Sequence, residues 1–364
     1  MTTIRSTMFI ALALVCASSL YAEGKPHVPP IVEWPPKLSG YVRADASYQS
    51  ALLDNVGRND DVNALLELDY AQSLEWKGFI GSVRADMDIS GDGGTNVAFL
   101  EQGYLMLTRN DLSSLCMRMG SFNAPIGWEN QDAPDKFQVT RSLLANSGTP
   151  SNLTGFDIGA TPTIGNTPFS LRAFAVNGWD KQSDNNHDKS FGARFDITPI
   201  EGCAFALVGM WGPEKDTNTR DARSLFDAML TLSFGSSLTL GLETLYGTEE
   251  VSAGKDDRWY GAQATLHSTF VRADDSAGYV NNELYGWTLR CSILRDPDGL
   301  MTGKGRTLSE GTAALMTQPL PNFFLRGEVR VDFSSPDDDF FTYADKSATE
   351  NSAVRVGFEA YCTF

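Results

Sequence analysis

Arginine and acidic residues recur two positions apart along the sequence, and this spacing limits the chemistry they can do. The pairs are Arg43 with Asp45, Arg84 with Asp86, Arg326 with Glu328, and Arg330 with Asp332. Residues two apart share one face of an extended strand, so each pair presents both signs of charge side by side. Such rows do not catalyse a reaction, but the electric field that they create across a lumen selects ions and polar solutes. The pattern predicts a water-filled lumen lined by Arg43, Asp45, Arg84, Asp86, Arg118, Arg290, Arg326, Glu328, Arg330, Asp332, Arg355 and Glu359.

Side chains that carry out catalysis or hold a metal are sparse. The three histidines are His27, His187 and His267. None lies near another, and neither an HExxH nor a GxSxG motif occurs. The stretch DISGDGGTN imitates the start of a calcium loop at Asp88, but its twelfth position is Phe99, where a bidentate Glu is required. We therefore predict no catalytic residue, no cofactor and no metal site.

The charged pairs lie on segments in which apolar and polar residues alternate. These segments are 38–48, 78–90, 285–293, 322–333 and 351–364. One face of each carries Ala, Gly, Val, Leu and aromatic residues, and the other carries the charges. An apolar outer face with a charged inner face is typical of a strand in a membrane β-barrel. The alternative is a soluble all-β protein with charged strand edges.

The connections between the predicted strands alternate between long and short. Residues 177–190 and 212–223 are long, whereas the connections at 198–202 and 234–237 are short. Outer-membrane barrels show this parity, with short periplasmic turns and long external loops. Only the stretch 271–282 departs from it, because a short turn is due there. We predict an all-β, antiparallel transmembrane β-barrel of about 16 strands, with 14 or 18 as alternatives.

The two ends of the sequence predict export and closure of the barrel. A basic residue, an apolar run and small residues over 1–22 are typical of a cleaved secretory signal peptide. Residues 23–37 are rich in proline and predict an extended periplasmic lead-in to a barrel over 38–364. The last strand must pair with the first, because hydrocarbon does not tolerate an open strand edge. We interpret its final aromatic residue, Phe364, as a signal for the barrel assembly machinery.

Charge excludes one class of partner. Without the predicted signal peptide, the chain has 28 basic and 46 acidic residues and a net charge of −18. Such a charge argues against binding to nucleic acid. The cysteines beyond the signal are widely separated and favour packing roles over a disulfide. We expect the tryptophans near predicted strand ends to form an interfacial belt: Trp76, Trp179, Trp211 and Trp259.

The connection from Ala124 to Leu153 is the longest in the chain, and it contains both apolar and charged residues. Its apolar residues include Phe137, Val139, Leu143 and Leu144, which are costly to leave in water. We predict that it folds into the lumen, with a short helix capped by Asp135. Its carboxylates would face Arg141 or wall arginines such as Arg84 and Arg118 across a constriction; they are Glu129, Asp132 and Asp135. An outward projection as a cap is the alternative.

Four motifs, in order, resemble the β-barrel porins of the OmpL-like type found in Gram-negative outer membranes. They are GSFNAPIGWEN at 120–130, VNGWDKQSDNNHDKSFGARFD at 176–196, RCSILRDPDG at 290–299 and PLPNFFLRGEVRVD at 319–332. Where such proteins read Arg-Tyr-Glu, this chain has Arg290-Cys291-Ser292 and Arg326-Gly327-Glu328. The resemblance implies a porin-like role but supplies no set of functional residues to transfer.

The sequence thus predicts an outer-membrane porin for passive diffusion of small hydrophilic solutes or ions. Its expected partners are outer-membrane lipids and lipopolysaccharide, the barrel assembly machinery and two further copies of the chain in a homotrimer. The alternative is a plugged barrel that acts as a structural or adhesion protein through acidic surface loops.

Overall fold

The computed structural model describes the chain from Lys37 onward, with short gaps. The described residues are 37–49, 52–53, 60–76, 79–92, 95–109, 115–165, 167–252, 255–274, 281–335, 341–342 and 349–364. The predicted signal peptide, 1–22, lies outside them. So does the predicted lead-in, 23–37, apart from Lys37, which begins the first strand. In the described part of the chain, no helix is long and apolar enough to cross a membrane.

Sixteen antiparallel strands make up the main sheet. The first eight are β1 Lys37–Gln49, β2 Asp60–Trp76, β3 Phe79–Asp92, β4 Thr95–Arg109, β5 Leu115–Asn123, β6 Asn152–Ala160, β7 Thr167–Val176 and β8 Ser190–Ile200. The second eight are β9 Cys203–Pro213, β10 Ala222–Phe234, β11 Leu238–Ser252, β12 Lys255–Asp274, β13 Asn281–Asp296, β14 Arg306–Leu320, β15 Phe323–Ser335 and β16 Ser352–Thr363. Smaller strands occur at Leu52–Leu53, Thr163–Ile164, Phe341–Thr342 and Thr349–Glu350.

Each strand pairs with its neighbour in the sequence, and the sheet closes on itself. The last strand pairs with the first from Thr363 opposite Tyr41 to Arg355 opposite Gln49. Beyond β16, the Phe364 N–H donates to the Gly40 carbonyl at 3.1 Å. Closure gives hydrogen-bond partners to the backbone groups of the first and last strands. Bilayer hydrocarbon offers no such partners. The prediction of a closed antiparallel barrel of about 16 strands is therefore confirmed.

The alternating pattern separates an outer apolar face from an inner charged face. Val42, Met87, Leu289, Val329 and Phe358 are 42–63% exposed on the outside. Their neighbours along the strands point inward, so arginine and carboxylate side chains are buried inside the barrel. In the described part of the chain, large apolar side chains are exposed on most of the sixteen strands, and only lipid or another apolar surface accommodates such a belt.

The stretch 271–282, which departs from the alternation of long and short connections in the sequence, lies partly in strands. Strand β12 extends to Asp274 and β13 begins at Asn281, so half of the stretch 271–282 belongs to strands. Six residues separate these two strands, 275–280, and they lie outside the described residues. A short connection is what the alternation requires at that end of the barrel.

Two of the predicted belt tryptophans lie inside the barrel instead. Trp259 is fully buried, and its ring packs edge-on against Trp179 with centroids 5.8 Å apart. Gly247 lies opposite Trp259 on β11, and a side chain there would collide with the indole ring. Because Gly247 has no side chain, the indole ring of Trp259 fits over it inside the barrel. Trp211 is 57% exposed on the outside, and Trp76 ends β2.

Candidate functional site

The interior of the barrel is crossed by residues 124–151, which connect β5 to β6 and which we call the lumen loop. The predicted loop ended at Leu153, but Asn152 and Leu153 are part of β6. Its neck is held by a hydrogen bond of 2.7 Å from the Ala124 N–H to the Ser151 carbonyl. The loop contains a 3-10 turn at Ala133–Asp135 and one helix, α1, at Leu143–Ser147.

The helix differs from the one that the sequence predicted. It begins eight residues after Asp135 and is capped by Ser142, whose hydroxyl accepts from the Ala145 N–H at 3.0 Å. Ser is a strong N-cap residue, and the extended backbone at Ser142 ends the preceding segment. The prediction of an Asp135 cap is therefore wrong. Asp135 is instead the last residue of the 3-10 turn, and Pro134 lies near the start of that turn.

The first half of the lumen loop is attached to wall carboxylates. The Gly127 N–H donates to Asp227 Oδ2 at 2.9 Å, and the Trp128 N–H donates to Glu243 Oε2 at 3.2 Å. The Trp128 indole also donates to Thr231 Oγ1 at 2.8 Å. Buried wall carboxylates on β10 and β11 thus satisfy backbone groups that an isolated loop would expose to water.

The second half is attached in the same way to carboxylates of β14 and β15. Glu328 Oε2 accepts from the Val139 and Thr140 N–H groups at 2.9 and 3.0 Å. Glu310 Oε2 accepts from the Leu143 N–H at 2.8 Å. Glu310, like Asp227 and Glu243, was missed by the sequence analysis, because single inward carboxylates carry no motif.

An ion-pair network joins the lumen loop to β13, β14 and β15. Arg290 pairs with Glu129 of the loop at 2.9 Å and with Glu310 of the next strand. Arg330 reaches Glu310 at 3.2 Å and donates to the Arg141 carbonyl at 2.8 Å. These side chains are almost fully buried, so breaking the network would leave buried charges without partners.

The remaining wall residues predicted from sequence pair along or between strands. Arg330 also pairs with Asp332 at 2.9 Å, and Arg326 pairs with Glu359 at 2.8 Å. Arg355 donates to Ser47 Oγ at 3.2 Å.

Arg118 does not face the lumen loop as predicted. It pairs with Asp157 at 2.5 Å, and its guanidinium lies 4.2 Å from the centre of the Phe122 ring. The adjacent strand offers a carboxylate at closer range than the loop does. Of the loop carboxylates predicted to face Arg141 or wall arginines such as Arg84 and Arg118, Glu129 pairs with Arg290, and Asp132 lies in the field of Arg84.

Apolar packing holds the lumen loop against one half of the wall. Leu144 is fully buried in a cluster with Phe122, Leu153 and Val176. Phe137 stacks on His267 with ring centroids 3.9 Å apart. The Trp259 indole donates to the Gly148 carbonyl at 3.1 Å. Apolar residues of the loop and the wall therefore form a packed core inside the barrel.

On the other side of the lumen some charged side chains stay partly exposed to solvent, although several carboxylates there are buried. The side chain of Arg84 on β3 is 40% exposed, whereas that of Arg290 on β13 is completely buried. Arg84 pairs with Asp86 at 2.7 Å and lies 3.6 Å from Asp69. On β1, Arg43 pairs with Asp45 at 3.2 Å. The solvated side of the lumen thus runs along β1, β2 and β3.

Acidic residues outnumber basic ones on this side. We call the inward carboxylates of β2, β3 and β4 the acidic wall; they are Glu67, Asp69, Asp86, Asp88 and Glu101. Asp132 and Asp135 of the lumen loop add to their field. Arg84 and Arg43 are the basic residues that act on these carboxylates. A passage bounded by this wall would favour cations.

Two loop residues make the charge of the lumen depend on pH. Burial and the neighbouring Asp135 raise the pKa of Asp132 to about 7, against the opposing effect of Arg84. Burial lowers the pKa of Lys136 to about 8. As pH rises, Asp132 gains a negative charge and Lys136 loses a positive one. Both changes make the lumen more negative.

We therefore expect the ratio of cation to anion permeability to rise between pH 6 and pH 8. The measurement is the reversal potential of the reconstituted protein in a KCl gradient. Asp132→Asn should remove the part of the change centred near pH 7. Asp221→Asn is the matched control, because a hydrogen bond from Lys215 lowers the pKa of that half-buried carboxyl and keeps it ionised throughout. An identical pH response in Asp132→Asn and the wild type would contradict this assignment.

Aspartates in two of the sequence motifs accept hydrogen bonds from backbone N–H groups of the loops. Asp180 Oδ1 accepts from the Ser151 and Asn152 N–H groups at 2.7 and 2.8 Å, at the base of the lumen loop. Asp296 accepts from three successive backbone N–H groups at 300–302, which closes the connection after β13. These motifs therefore maintain the shape of the barrel mouth.

Comparison with known proteins places this geometry among outer-membrane barrels. Residues 68–364 match the family described as "Putative beta-barrel porin-2, OmpL-like". The outer membrane channel DcaP of Acinetobacter baumannii is similar in structure, with a TM-score of 0.60, 12% identity, and coverage of 90% of this chain and 97% of that chain. The anion-selective porin from Comamonas acidovorans has a TM-score of 0.62, 12% identity, and coverage of 90% and 99%.

The trimer form of OmpT from Vibrio cholerae is also similar, with a TM-score of 0.54, 9% identity, and coverage of 90% of this chain and 99% of that chain. At such identities the likeness concerns the fold. No protein with a curated description matches the sequence.

Proposed function

The chain belongs to the family "Putative beta-barrel porin-2, OmpL-like", and on that premise we propose that it forms a water-filled channel for passive diffusion of small hydrophilic solutes and ions. The observation that carries the proposal is the solvated side of the lumen. There the Arg84 side chain remains 40% exposed although it points into the barrel. A passage of this kind works by size exclusion and by the field of its wall charges, and it requires no catalytic group.

The lumen loop sets the narrowest part of the proposed channel. Hydrogen bonds and ion pairs attach it to strands between β10 and β15, and its 3-10 turn also approaches β1, where the Ala133 N–H lies 3.4 Å from the Tyr41 hydroxyl. Solutes would therefore pass between the loop and the acidic wall. Glu129 and Arg141 contribute mainly to anchoring, whereas Asp132 and Asp135 contribute to the charge at the passage. We propose a preference for cations on this ground.

The setting of the channel follows from the family and from the predicted export signal. We propose that the protein is exported with a cleaved signal peptide and inserted into the Gram-negative outer membrane by the barrel assembly machinery, with Phe364 as part of the assembly signal. The external loops would then contact lipopolysaccharide. A homotrimer is proposed as the assembly, and OmpT of Vibrio cholerae, which shares the fold, has a trimer form.

Uptake of neutral solutes by proteoliposomes tests the proposal. We expect vesicles containing the full barrel to swell in sugars of increasing size, with a rate that falls steeply as size increases. Protein-free vesicles and vesicles with heat-denatured protein are the controls. Vesicles that contain folded barrel and do not swell in the smallest solute would contradict a diffusion channel.

A plugged barrel with a structural or adhesion role is the second candidate. It is favoured by one observation: the lumen loop is attached to β1 and to β10, which are far apart around the barrel. If the loop closed the lumen entirely, ions would not pass either. The conductance measurement in the Discussion separates the two candidates.

A further inference from the structure

Three carboxylates from adjacent strands converge inside the barrel on the acidic wall. Glu67 on β2 lies directly opposite Asp88 on β3 in the strand register. Glu101 joins them from β4, and one carboxylate oxygen of each residue lies within 4.8 Å of the others. Like charges at this separation repel strongly in a partly buried site, so the cluster calls for a compensating charge.

A β-bulge brings the third carboxylate into the cluster. Asp86 pairs with Gln102 and Met87 pairs with Leu100, so Glu101 has no residue opposite it on β3. Both Glu101 and Gln102 are buried, although adjacent residues of a regular strand would point to opposite faces. Bulges redirect side chains in this way. Without the bulge, the wall would have one carboxylate fewer at this position.

Neighbouring basic groups do not neutralise the cluster. In the part of the chain that the structure describes, Glu67, Asp88 and Glu101 form no ion pair with Lys or Arg. Arg84 is engaged by Asp86 and Asp69, and Arg43 lies nearest to Asp45 among its acidic partners.

Two of the carboxylates also have an oxygen that lacks any hydrogen-bond partner. Asp88 is 8% exposed and Glu101 is 9% exposed, and their oxygens Oδ1 and Oε2 are buried without a donor. Glu67 is 3% exposed, and the hydroxyl of Tyr41 hydrogen-bonds to its carboxylate. A buried carboxylate oxygen with no donor is costly, and a cation bound between these oxygens would remove that cost.

We propose that Glu67, Asp88 and Glu101 form a divalent-cation site in the wall of the lumen and that Ca²⁺ is the ion it takes. Oxygen atoms that surround one Ca²⁺ at about 2.3–2.6 Å are separated by up to about 5 Å, which agrees with the spacing of the cluster. Lumen water would supply the remaining ligands. Ca²⁺ accepts irregular oxygen geometry, whereas Mg²⁺ demands a near-ideal octahedron, so selection of Ca²⁺ is expected.

A bound Ca²⁺ would also change the character of the wall. It would cancel two of the three negative charges of the cluster at the edge of the solvated passage. Binding is a property of the folded barrel and does not require that the lumen conduct.

Calorimetric titration of Ca²⁺ into the refolded, chelator-washed barrel in detergent tests the site. We expect one saturable binding event in the wild type, weaker binding of Mg²⁺, and affinity reduced at least about tenfold in Asp88→Asn and in Glu101→Gln. Glu201→Gln is the matched control, because Glu201 is an exposed carboxylate in the turn between β8 and β9. No saturable binding in the wild type would overturn the proposal, as would unchanged affinity in both cluster variants.

Thermal unfolding gives a second readout that does not depend on the folding of Asp88→Asn or Glu101→Gln. A ligand bound to the native state alone raises the unfolding temperature. The wild type and Glu201→Gln should unfold at a higher temperature in Ca²⁺ than in a chelator, with a shift that saturates. A wild-type unfolding temperature independent of Ca²⁺ at saturating concentration would also overturn the site.

Discussion

Replacing residues 131–146 with a short Gly-Ser linker is expected to raise single-channel conductance severalfold while the barrel still folds. The segment contains the 3-10 turn and most of α1, and it belongs to none of the sixteen strands. Its removal would also clear Asp132 and Lys136 from the passage. The linker is flexible and polar, so it offers neither the apolar packing of Leu144 nor the anchors to Glu310 and Glu328.

Heat-modifiable migration on gels and circular dichroism would establish that the variant is a folded barrel. The same linker inserted in the exposed turn 235–237, between β10 and β11, is the matched control and should leave conductance unchanged. If a folded deletion variant had wild-type conductance, the lumen loop would not define the constriction. The proposed channel would then have to be limited elsewhere.

Val329→Arg is expected to destabilise the barrel by about 2–4 kcal/mol. Val329 is 49% exposed on the outer face near the middle of β15, where it lies opposite Val356 and Ala313 of the adjacent strands. A guanidinium at this position would enter the hydrocarbon near the bilayer centre. The measurement is the free energy of unfolding from denaturant titration of the protein folded into lipid vesicles.

A position nearer the membrane interface on the same strand is the control for this substitution. Leu325 lies on the same face, two residues from the start of β15, and is 38% exposed. Leu325→Arg should cost only about 0–1 kcal/mol, because its charge reaches the interface. Equal costs at the two positions would contradict the placement of this strand across a bilayer.

The architecture was predictable because each strand repeats the same two-faced pattern. Arg330 and Val329 are neighbours in sequence, and one is buried inside while the other is exposed outside. The physical requirement for closed hydrogen bonding in a bilayer then dictates that the final strand meets the first. The parity of connection lengths supplied the direction of each strand.

The attachment of the lumen loop was beyond sequence analysis because its partners are distant in sequence. Gly127 is bound by Asp227, and Leu143 is bound by Glu310. The apolar residues of the loop did indicate that it needed a packing surface. They gave no indication of which wall would supply one, and Trp259 enters the interior only because Gly247 lies opposite.

The carboxylate cluster was missed for a different reason. Glu101 points inward because of a bulge, and bulges leave no trace in a two-residue period. In the sequence Asp88 begins an incomplete calcium loop, so contiguous motifs predicted no metal site. In the folded chain Asp88 lies beside carboxylates of two other strands, which only the strand register reveals.

Single-channel recording of the full barrel in a planar lipid bilayer tests the central claim most directly. A water-filled pore predicts discrete current steps whose size increases with salt concentration, together with a reversal potential that favours cations in a KCl gradient. Protein shown to be folded by heat-modifiable migration, yet producing no current steps at any salt concentration, would contradict the claim and support a plugged barrel.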